Sequence, residues 1–179
     1  MKGSLGPSGR SRRKVLLPRS IALVVTPVVF LLGHVVLPQA LSELTIHHGW
    51  TSGRPGWLNL LGIPLVAAGG AGLAWCLRLH FASSAGSGFE MSATQDYLVT
   101  HGPYRFTRNP VYLSGIVIWL SWVVIYGSLA VLIGLVVLWG SVALLAVPWE
   151  ERKLEARFGD AYLQYQSRVP RWLGSRPKP

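Results

Sequence analysis

Residues 101–112 carry side chains suited to binding a charged ligand. The segment reads HGPYRFTRNPVY and holds a histidine, two arginines and two tyrosines. Asn109 followed by Pro110 is typical of an N-cap and first helical residue, so we expect Asn109 to cap a helix. The positive end of that helix, with Arg105 and Arg108 beside it, would favour an anionic group. A capped helix with arginines reaching towards a membrane surface explains the same residues without a ligand.

Two adjacent carboxylates, Glu150 and Glu151, form the second polar feature. They follow a long apolar stretch that begins at the 101–112 segment. If that stretch forms a helical hairpin, the carboxylates lie close to Arg105 and Arg108. They then either bind the cationic part of a ligand or form salt bridges with these arginines. The sequence leaves both alternatives open.

The elements that position these residues are apolar helices. Asp, Glu, Lys and Arg are absent from residues 20–42, 55–77 and 109–149. Each of the first two stretches can cross a hydrocarbon core of about 30 Å once. The third would be about 62 Å long as one helix, so we expect it to fold back at Tyr126-Gly127-Ser128. The sequence predicts an all-α bundle of four transmembrane helices, near 20–40, 57–79, 110–126 and 129–149.

Polar segments flank this predicted transmembrane domain. Residues 1–19 form a basic tail, residues 150–173 a C-terminal segment and residues 174–179 a short tail. In the C-terminal segment, Leu154, Phe158, Tyr162 and Tyr165 recur at helical spacing. We therefore expect an amphipathic helix that lies on the membrane surface.

The distribution of basic residues predicts the orientation of the chain. There are 17 Lys and Arg residues against 7 Asp and Glu residues. All basic residues except Arg54 fall on one side of the four predicted helices, which is the pattern of a cytoplasmic face. We expect an integral protein of the bacterial inner membrane with both termini in the cytoplasm. Half of the residues are apolar, which argues against a nucleic-acid partner.

Three features inside the predicted spans bear on fold and function. The lack of charged residues there argues against a proton-coupled transporter or an ion channel. His34, in the middle of the first span, fits an interhelical hydrogen bond better than haem ligation, and no metal site is expected. The small residues at 67–72 favour close packing of two helices.

Taken together, the polar residues form two motifs that occur in a fixed order. The first is Gly102-Pro103-Tyr104-Arg105-Phe106-x-Arg108-Asn109-Pro110-x-Tyr112-x-x-Gly115. The second is Glu150-Glu151-x-x-Leu154-x-x-x-Phe158-Gly159-x-x-Tyr162-x-x-Tyr165-x-x-x-Val169-Pro170-Arg171-Trp172. Over roughly residues 97–173 the chain resembles the isoprenylcysteine carboxyl methyltransferase and phospholipid methyltransferase superfamily. Many carboxyl methyltransferase-like members have Arg-His-Pro at 108–110, whereas the Asn form found here is closer to phospholipid-type members.

This resemblance implies an integral membrane enzyme that transfers a methyl group from S-adenosyl-L-methionine to a lipophilic acceptor. The acceptor would be an isoprenylcysteine carboxyl group or a phospholipid amine. The implied cofactor-binding residues are Gly102, Tyr104, Arg105, Asn109, Pro110, Tyr112, Glu150 and Glu151, and the C-terminal segment would complete the site. The implied catalytic residues are Arg108 and His101. A noncatalytic membrane scaffold with the same fold and a small transporter are the alternatives, and the oligomeric state is open.

The chemistry of this cofactor and its acceptor suggests a role for each group of residues. One of the two glutamates would hold its ammonium group, and Arg105, Arg108 or the N–H groups at the helix start would hold its carboxylate. The rings of Tyr104, Phe106 and Tyr112 offer faces for its adenine or sulfonium. His101 would take a proton from an amine or thiol acceptor.

Overall fold

The structure, a computed structural model, describes residue 25 and residues 27–83 and 98–173. Five α-helices occupy most of these ranges: α1 Pro27–Ser42, α2 Gly62–Ser83, α3 Pro110–Tyr126, α4 Leu129–Phe158 and α5 Asp160–Arg168. Two short antiparallel strands, β1 Trp50–Thr51 and β2 Arg54–Pro55, lie between α1 and α2. Single 3₁₀ turns precede α2, at Asn59–Leu61, and α3, at Gly102–Arg105. The predicted tails at 1–19 and 174–179 lie outside the described residues.

The helices have the apolar surfaces expected of a membrane protein. Two of them, Asn59–Leu79 and Leu129–Phe158, are long and apolar enough to cross a bilayer, while α1 and α3 are apolar but shorter. Large apolar side chains point outward, and Leu144 of α4 is 77% exposed. Such extensive apolar exposure is unfavourable in water and suits contact with lipid. The described chain is therefore mostly helical with apolar helices, as predicted.

The predicted corner between the third and fourth spans is confirmed. α3 ends at Tyr126, and Gly127 adopts a left-handed conformation with φ +56°. A Cβ atom at Gly127 would collide with the carbonyl oxygen of His48. The Ser128 hydroxyl oxygen then accepts a hydrogen bond from the N–H of Val131 and starts α4. Both the turn conformation and the contact with His48 therefore require glycine.

Close packing of α2 against α3 depends on the small residues at 67–72. A Cβ atom on Gly69 would lie 3.0 Å from the carbonyl oxygen of Ser114, and one on Gly72 would lie 2.7 Å from the Ser114 hydroxyl oxygen. Gly70 faces open space. The predicted close approach is therefore confirmed at Gly69 and Gly72, which hold α3 against α2.

The C-terminal segment differs from the single surface helix predicted over 150–173. α4 continues through Glu150 to Phe158, and α5 begins only after Gly159, which has φ +53°. The predicted apolar stripe lies mostly in one cluster, formed by Tyr162, Tyr165, Val169, Leu98, Leu154 and Phe158. The prediction of a stripe resting on the membrane is wrong for this reason: the stripe packs on itself and on the segment before α3.

Candidate active site

Polar side chains from α3, α4 and the C-terminal segment meet at one end of the bundle. The 3₁₀ turn Gly102–Arg105 lies against the end of α2, because a Cβ atom on Gly102 would be 2.5 Å from Cδ1 of Leu79. Gly102 also has φ +62°, which other residues rarely adopt. Gly102 therefore seats the turn that precedes α3, and this fixes where the next residues lie.

A second segment is held against the start of α3. The N–H of Arg108 donates to the carbonyl oxygen of Pro170 at 3.0 Å. The carbonyl oxygen of Arg171 accepts from the hydroxyl of Thr107 at 2.9 Å and from Nδ2 of Asn109 at 3.0 Å. Thr107 and Asn109 are both buried. These bonds hold residues 170–171, near the end of the second motif, against residues 107–109, which immediately precede α3.

Asn109 does not cap α3 with its side chain, contrary to the prediction. It holds the N-cap position before Pro110, which is the first helical residue as predicted, but it makes no side-chain capping hydrogen bond. Its amide group is instead committed to Arg171, and its own N–H donates to the Thr107 hydroxyl oxygen at 3.2 Å. Asn109 thus acts as a tie between the two motifs.

Glu151 is the centre of a salt-bridge network. Its side chain is buried, with Oε1 3.0 Å from Nη1 of Arg108. Arg171 donates to both carboxylate oxygens, from Nε at 3.1 Å and from Nη2 at 2.5 Å. This bond to Glu151 raises the pKa of the Arg171 guanidinium. Of the two alternatives for the carboxylates, the salt bridge is the one that Glu151 forms, and its arginine partners are 108 and 171 rather than 105.

Glu150 has different partners from its neighbour. Oε2 of Glu150 accepts a hydrogen bond from the hydroxyl of Tyr112 at 3.1 Å. Among the residues that the structure describes, no cationic side chain forms a salt bridge with Glu150. Burial raises the pKa of the Glu150 carboxyl, and the Tyr112 hydrogen bond and the charge of Lys153 offset part of this rise. Nζ of Lys153 lies 3.1 Å from the ring centre of Trp149. Glu150 is therefore a partly buried carboxylate whose charge the described side chains leave without an ion pair.

Tyr104 completes a group that we call the tyrosine–glutamate cluster, formed by Tyr104, Tyr112 and Glu150. Burial raises the pKa of the Tyr104 phenol, and the nearby Cys76, Glu150 and Tyr112 raise it further. The backbone carbonyl of Tyr104 accepts a hydrogen bond from the Tyr165 hydroxyl at 2.8 Å. The cluster thus combines one carboxylate with two aromatic rings whose hydroxyl groups stay protonated.

Arg108 has hydrogen-bonding capacity that the described residues do not use. Its side chain is 12% exposed. Nε and Nη1 are buried atoms without a hydrogen-bond partner in the described chain. Nη1 is within ion-pair distance of Glu151, but its N–H bonds do not have hydrogen-bond geometry towards that oxygen. Buried donors of this kind nearly always have a partner, so the site fits an additional anionic group beside Arg108.

Three residues of the 101–112 segment lie outside this arrangement. His101, Arg105 and Phe106 are exposed. Within the described ranges, the side chains of His101 and Arg105 make no hydrogen bond or ion pair. The site that the structure brings together comprises Gly102, Tyr104, Arg108, Asn109, Pro110, Tyr112, Glu150 and Glu151. The roles assigned to His101 and Arg105 remain predictions.

Sequence reasoning gave no role to Arg171, Thr107 or Cys76. Arg171 stands in the second motif, and a buried glutamate beside a single arginine would have suggested that a second cation was needed. Thr107 occupies an unspecified position of the first motif. Cys76 lies on α2, and nothing in the local sequence indicates that it comes close to Tyr104.

Comparison with known proteins places these features in a family. The profile of the phospholipid methyltransferase family matches residues 57–161. Protein-S-isoprenylcysteine O-methyltransferase B of Arabidopsis thaliana is 37% identical over 75 residues, which are 41% of this chain and 37% of the plant protein. An uncharacterised protein of Haemophilus influenzae is 33% identical over 63 residues, which are 35% of this chain and 100% of that protein.

The matches differ in the share of each chain that they cover, and this share determines whether they show the family. The chain spans little more than a third of the length of the Arabidopsis protein. No solved structure matches it. The family profile covers more than half of the chain and includes α2, α3, all of α4 and the tyrosine–glutamate cluster. It agrees with the resemblance carried by the two motifs, and the chain belongs to the phospholipid methyltransferase family.

Proposed function

We propose that the protein is a membrane-embedded methyltransferase that uses S-adenosyl-L-methionine and modifies a lipophilic acceptor. Family membership and the apolar helices support the reaction class and the setting. The observation that carries the proposal is the contrast between the two adjacent glutamates. Glu151 is neutralised by Arg108 and Arg171, whereas Glu150 has a tyrosine hydrogen bond and no salt bridge among the described residues.

The residues of the site fit the charged groups of this cofactor. Glu150 would hold the ammonium group, with Tyr112 fixing the orientation of its carboxylate. Nε of Arg108, which has no hydrogen-bond partner among the described residues, would hold the carboxylate, beside the Nη1 that forms the ion pair with Glu151. The rings of Tyr104 and Tyr112 would lie against the sulfonium or the adenine, as aromatic faces favour cationic groups. When bound, the cofactor supplies an electrophilic methyl group on a positively charged sulfur.

The protein's part in such a reaction is alignment and exclusion of water. In-line displacement requires the acceptor nucleophile close to the methyl group and opposite the sulfur. The hydrogen bonds from residues 107–109 to Pro170 and Arg171 hold the C-terminal segment over the start of α3 and close the site on that side. The acceptor would reach the site from the bilayer. The predicted role of His101 as proton acceptor rests on the sequence alone.

The acceptor remains a choice between two chemical types. An isoprenylcysteine would present a carboxylate, and an aminophospholipid would present an amine. The Arg108-Asn109-Pro110 form of the first motif resembles phospholipid-type members and supports the amine. Mass spectrometry of lipid extracts, after incubation with the protein and methyl-labelled cofactor, would identify the labelled group.

We also propose that α1, α2, α3 and α4 all cross the bacterial inner membrane and that both termini are cytoplasmic. α1 and α3 are apolar and pack with the two longer helices. With four crossings, both motifs lie on the cytoplasmic side, together with all basic residues except Arg54. The cofactor, which is soluble in the cytoplasm, would then reach the site directly.

Calorimetric titration of the detergent-solubilised protein with S-adenosyl-L-methionine tests the proposal. A methyltransferase binds the cofactor with one site per chain, and S-adenosylhomocysteine competes for that site. A noncatalytic scaffold or a small transporter would show no such binding. Heat of binding that is absent from a well-folded preparation would therefore contradict the proposed function.

A further inference from the structure

His34 of α1 has an unusual local structure. It lies in a π-helical segment, Leu32–Val36, a feature that occurs frequently at functional sites. Its backbone carbonyl accepts a hydrogen bond from Nε1 of Trp122 on α3 at 2.6 Å. Its ring stacks on that of Phe30 with 4.1 Å between centroids. The imidazole is therefore held by its own helix, while Trp122 of α3 holds its backbone carbonyl.

The hydrogen bonding of His34 determines which nitrogen carries the proton. Nδ1 lies 3.2 Å from the carbonyl oxygen of Phe30. Because a carbonyl oxygen only accepts, Nδ1 carries the proton and Nε2 has a free lone pair. Nε2 has no hydrogen-bond partner among the described residues. The interhelical side-chain bond expected for this histidine is thus absent from the described part of the chain.

Nε2 lies against α3 at Gly115. A Cβ atom on Gly115 would lie 3.1 Å from Nε2, so glycine at this position makes room for the imidazole. Gly115 is three residues beyond Tyr112, and positions with this spacing are neighbours on a helix, about 5–6 Å apart. His34 therefore lies about one helical turn deeper in the bundle than the tyrosine–glutamate cluster. An unpartnered proton acceptor at this depth is unfavourable unless a ligand uses it.

We propose that Nε2 of His34 takes the proton from a methyl acceptor whose nucleophile carries one, such as an amine or a thiol. This inference rests on the proposed methyltransferase function. An acceptor ammonium would give a proton to Nε2, and its nitrogen lone pair would form the new N–C bond. The C–S bond breaks and leaves its electron pair on sulfur. The product leaves as a methylated ammonium, and the imidazolium returns its proton to solvent.

A proton-accepting role for His34 predicts which chemical types of acceptor are methylated. A carboxylate nucleophile has no proton to lose and would face the lone pair of Nε2 unfavourably. An amine or thiol must lose its proton before or during attack, and a base in position typically accelerates such a step by 10²–10⁴-fold. His34 therefore predicts that protic acceptors are methylated and that carboxylates are not.

Matched acceptors and variants test this role in phosphatidylethanolamine vesicles. Dodecylamine, dodecanethiol and dodecanoate share one chain and differ only in the nucleophile. His34→Asn retains an amide N–H for the Phe30 carbonyl but removes Nε2, and His34→Gln retains a hydrogen-bond acceptor that takes no proton. His48→Asn, on an exposed histidine outside the site, is the control. The measurements are kcat and KM with methyl-labelled cofactor, the cofactor Kd, and dodecylamine binding without cofactor.

We expect transfer to an amine, either dodecylamine or the phospholipid, or to the thiol. His34→Asn should lower kcat by about 100-fold and weaken dodecylamine binding, with the cofactor Kd unchanged. His34→Gln should restore KM but not kcat, and His48→Asn should match the parent. Unchanged kcat in His34→Asn would overturn the inference, as would loss of cofactor binding in both His34 variants. Transfer only to dodecanoate would overturn it and leave the proposed function intact, whereas no transfer to any acceptor would contradict both.

Discussion

Two adjacent glutamates of α4 have different partners because their side chains point to different residues at the start of α3 and in the C-terminal segment. Glu151 faces the start of α3 and the C-terminal segment, where Arg108 and Arg171 neutralise it. Glu150 faces Tyr112. The sequence predicts that both lie near the start of α3. It does not predict which one forms the salt bridge, because the second cation comes from Arg171, 20 residues further along the chain.

The buried position of Glu151 predicts a structural defect on its replacement. Glu151→Gln leaves the Arg108 guanidinium without its counter-charge, and breaking a buried ion pair costs about 3–5 kcal/mol. The midpoint of thermal unfolding in detergent should fall clearly below that of the parent. Glu155→Gln, at an exposed position of the same helix, is the matched control and should unfold like the parent. Equal midpoints for Glu151→Gln and Glu155→Gln would show that the network adds little stability.

Replacement of Asn109 tests whether its side chain bonds to Arg171 or caps the N-terminus of α3. An N-cap asparagine is replaced by aspartate with little loss, because both side chains accept hydrogen bonds from helix N–H groups. The tie to Arg171 requires a donor, and an ionised aspartate has none. Asn109→Asp should therefore destabilise the protein at least as much as Asn109→Ala, by about 1–3 kcal/mol. Thermal unfolding of the two variants measures this, and an aspartate variant as stable as the parent would support capping instead.

At the scale of elements, the sequence predicts α3 to its observed ends and the corner at Gly127 correctly. Pro110 and Gly127 are strong signals because each fits a helix end for a steric reason. The end of the fourth helix is different. Glu150 marks the end of the apolar run, yet the helix continues to Phe158, because residues 150–158 contain no helix breaker before Gly159. A change from apolar to polar residues indicates where a helix leaves the membrane and not where it ends.

The contact between α2 and α3 gives a matched pair of glycine variants. At Gly69 a Cβ atom would lie 2.7 Å from Cγ1 of Ile118 and 3.0 Å from the Ser114 carbonyl oxygen, whereas Gly70 has nothing within 4 Å. Gly69→Ala should lower the unfolding midpoint because α3 must move away from α2. Gly70→Ala should be neutral or stabilising by up to about 1 kcal/mol, because alanine has the higher helix propensity. If both variants unfold at the same temperature, the two helices do not depend on this close approach.

At the scale of the whole molecule, the charge pattern predicts the orientation, and the fold brings the two motifs to one end. Neither motif is a site by itself. The first lacks a carboxylate, and the second lacks Arg108 and Tyr112, which pair with Glu151 and Glu150. The predicted hairpin brings the glutamates to the start of α3, but sequence spacing does not give the position of Arg171, which depends on how α5 and the residues after it pack.

The orientation can be tested with single exposed cysteines in the full chain. Thr51, in β1, and Gln164, in α5, are both exposed, while the natural Cys76 is buried. A membrane-impermeant maleimide should label Thr51→Cys in spheroplasts and should label Gln164→Cys only after lysis. The parent chain is the control for reaction at Cys76. Labelling of both cysteines in intact spheroplasts would contradict the three crossings proposed between them, which place Thr51 and Gln164 on opposite sides of the membrane.

The central claim is that Glu150 is the carboxylate that holds the cofactor ammonium, and calorimetric titration of Glu150→Gln with S-adenosyl-L-methionine tests it most directly. Loss of a desolvated charged partner costs on the order of 3–5 kcal/mol, so affinity should fall by roughly 100-fold or more. The unfolding midpoint without cofactor should not fall, because the buried carboxylate has no salt bridge in the described chain to lose. A Glu150→Gln variant that binds the cofactor with the affinity of the parent would contradict the account.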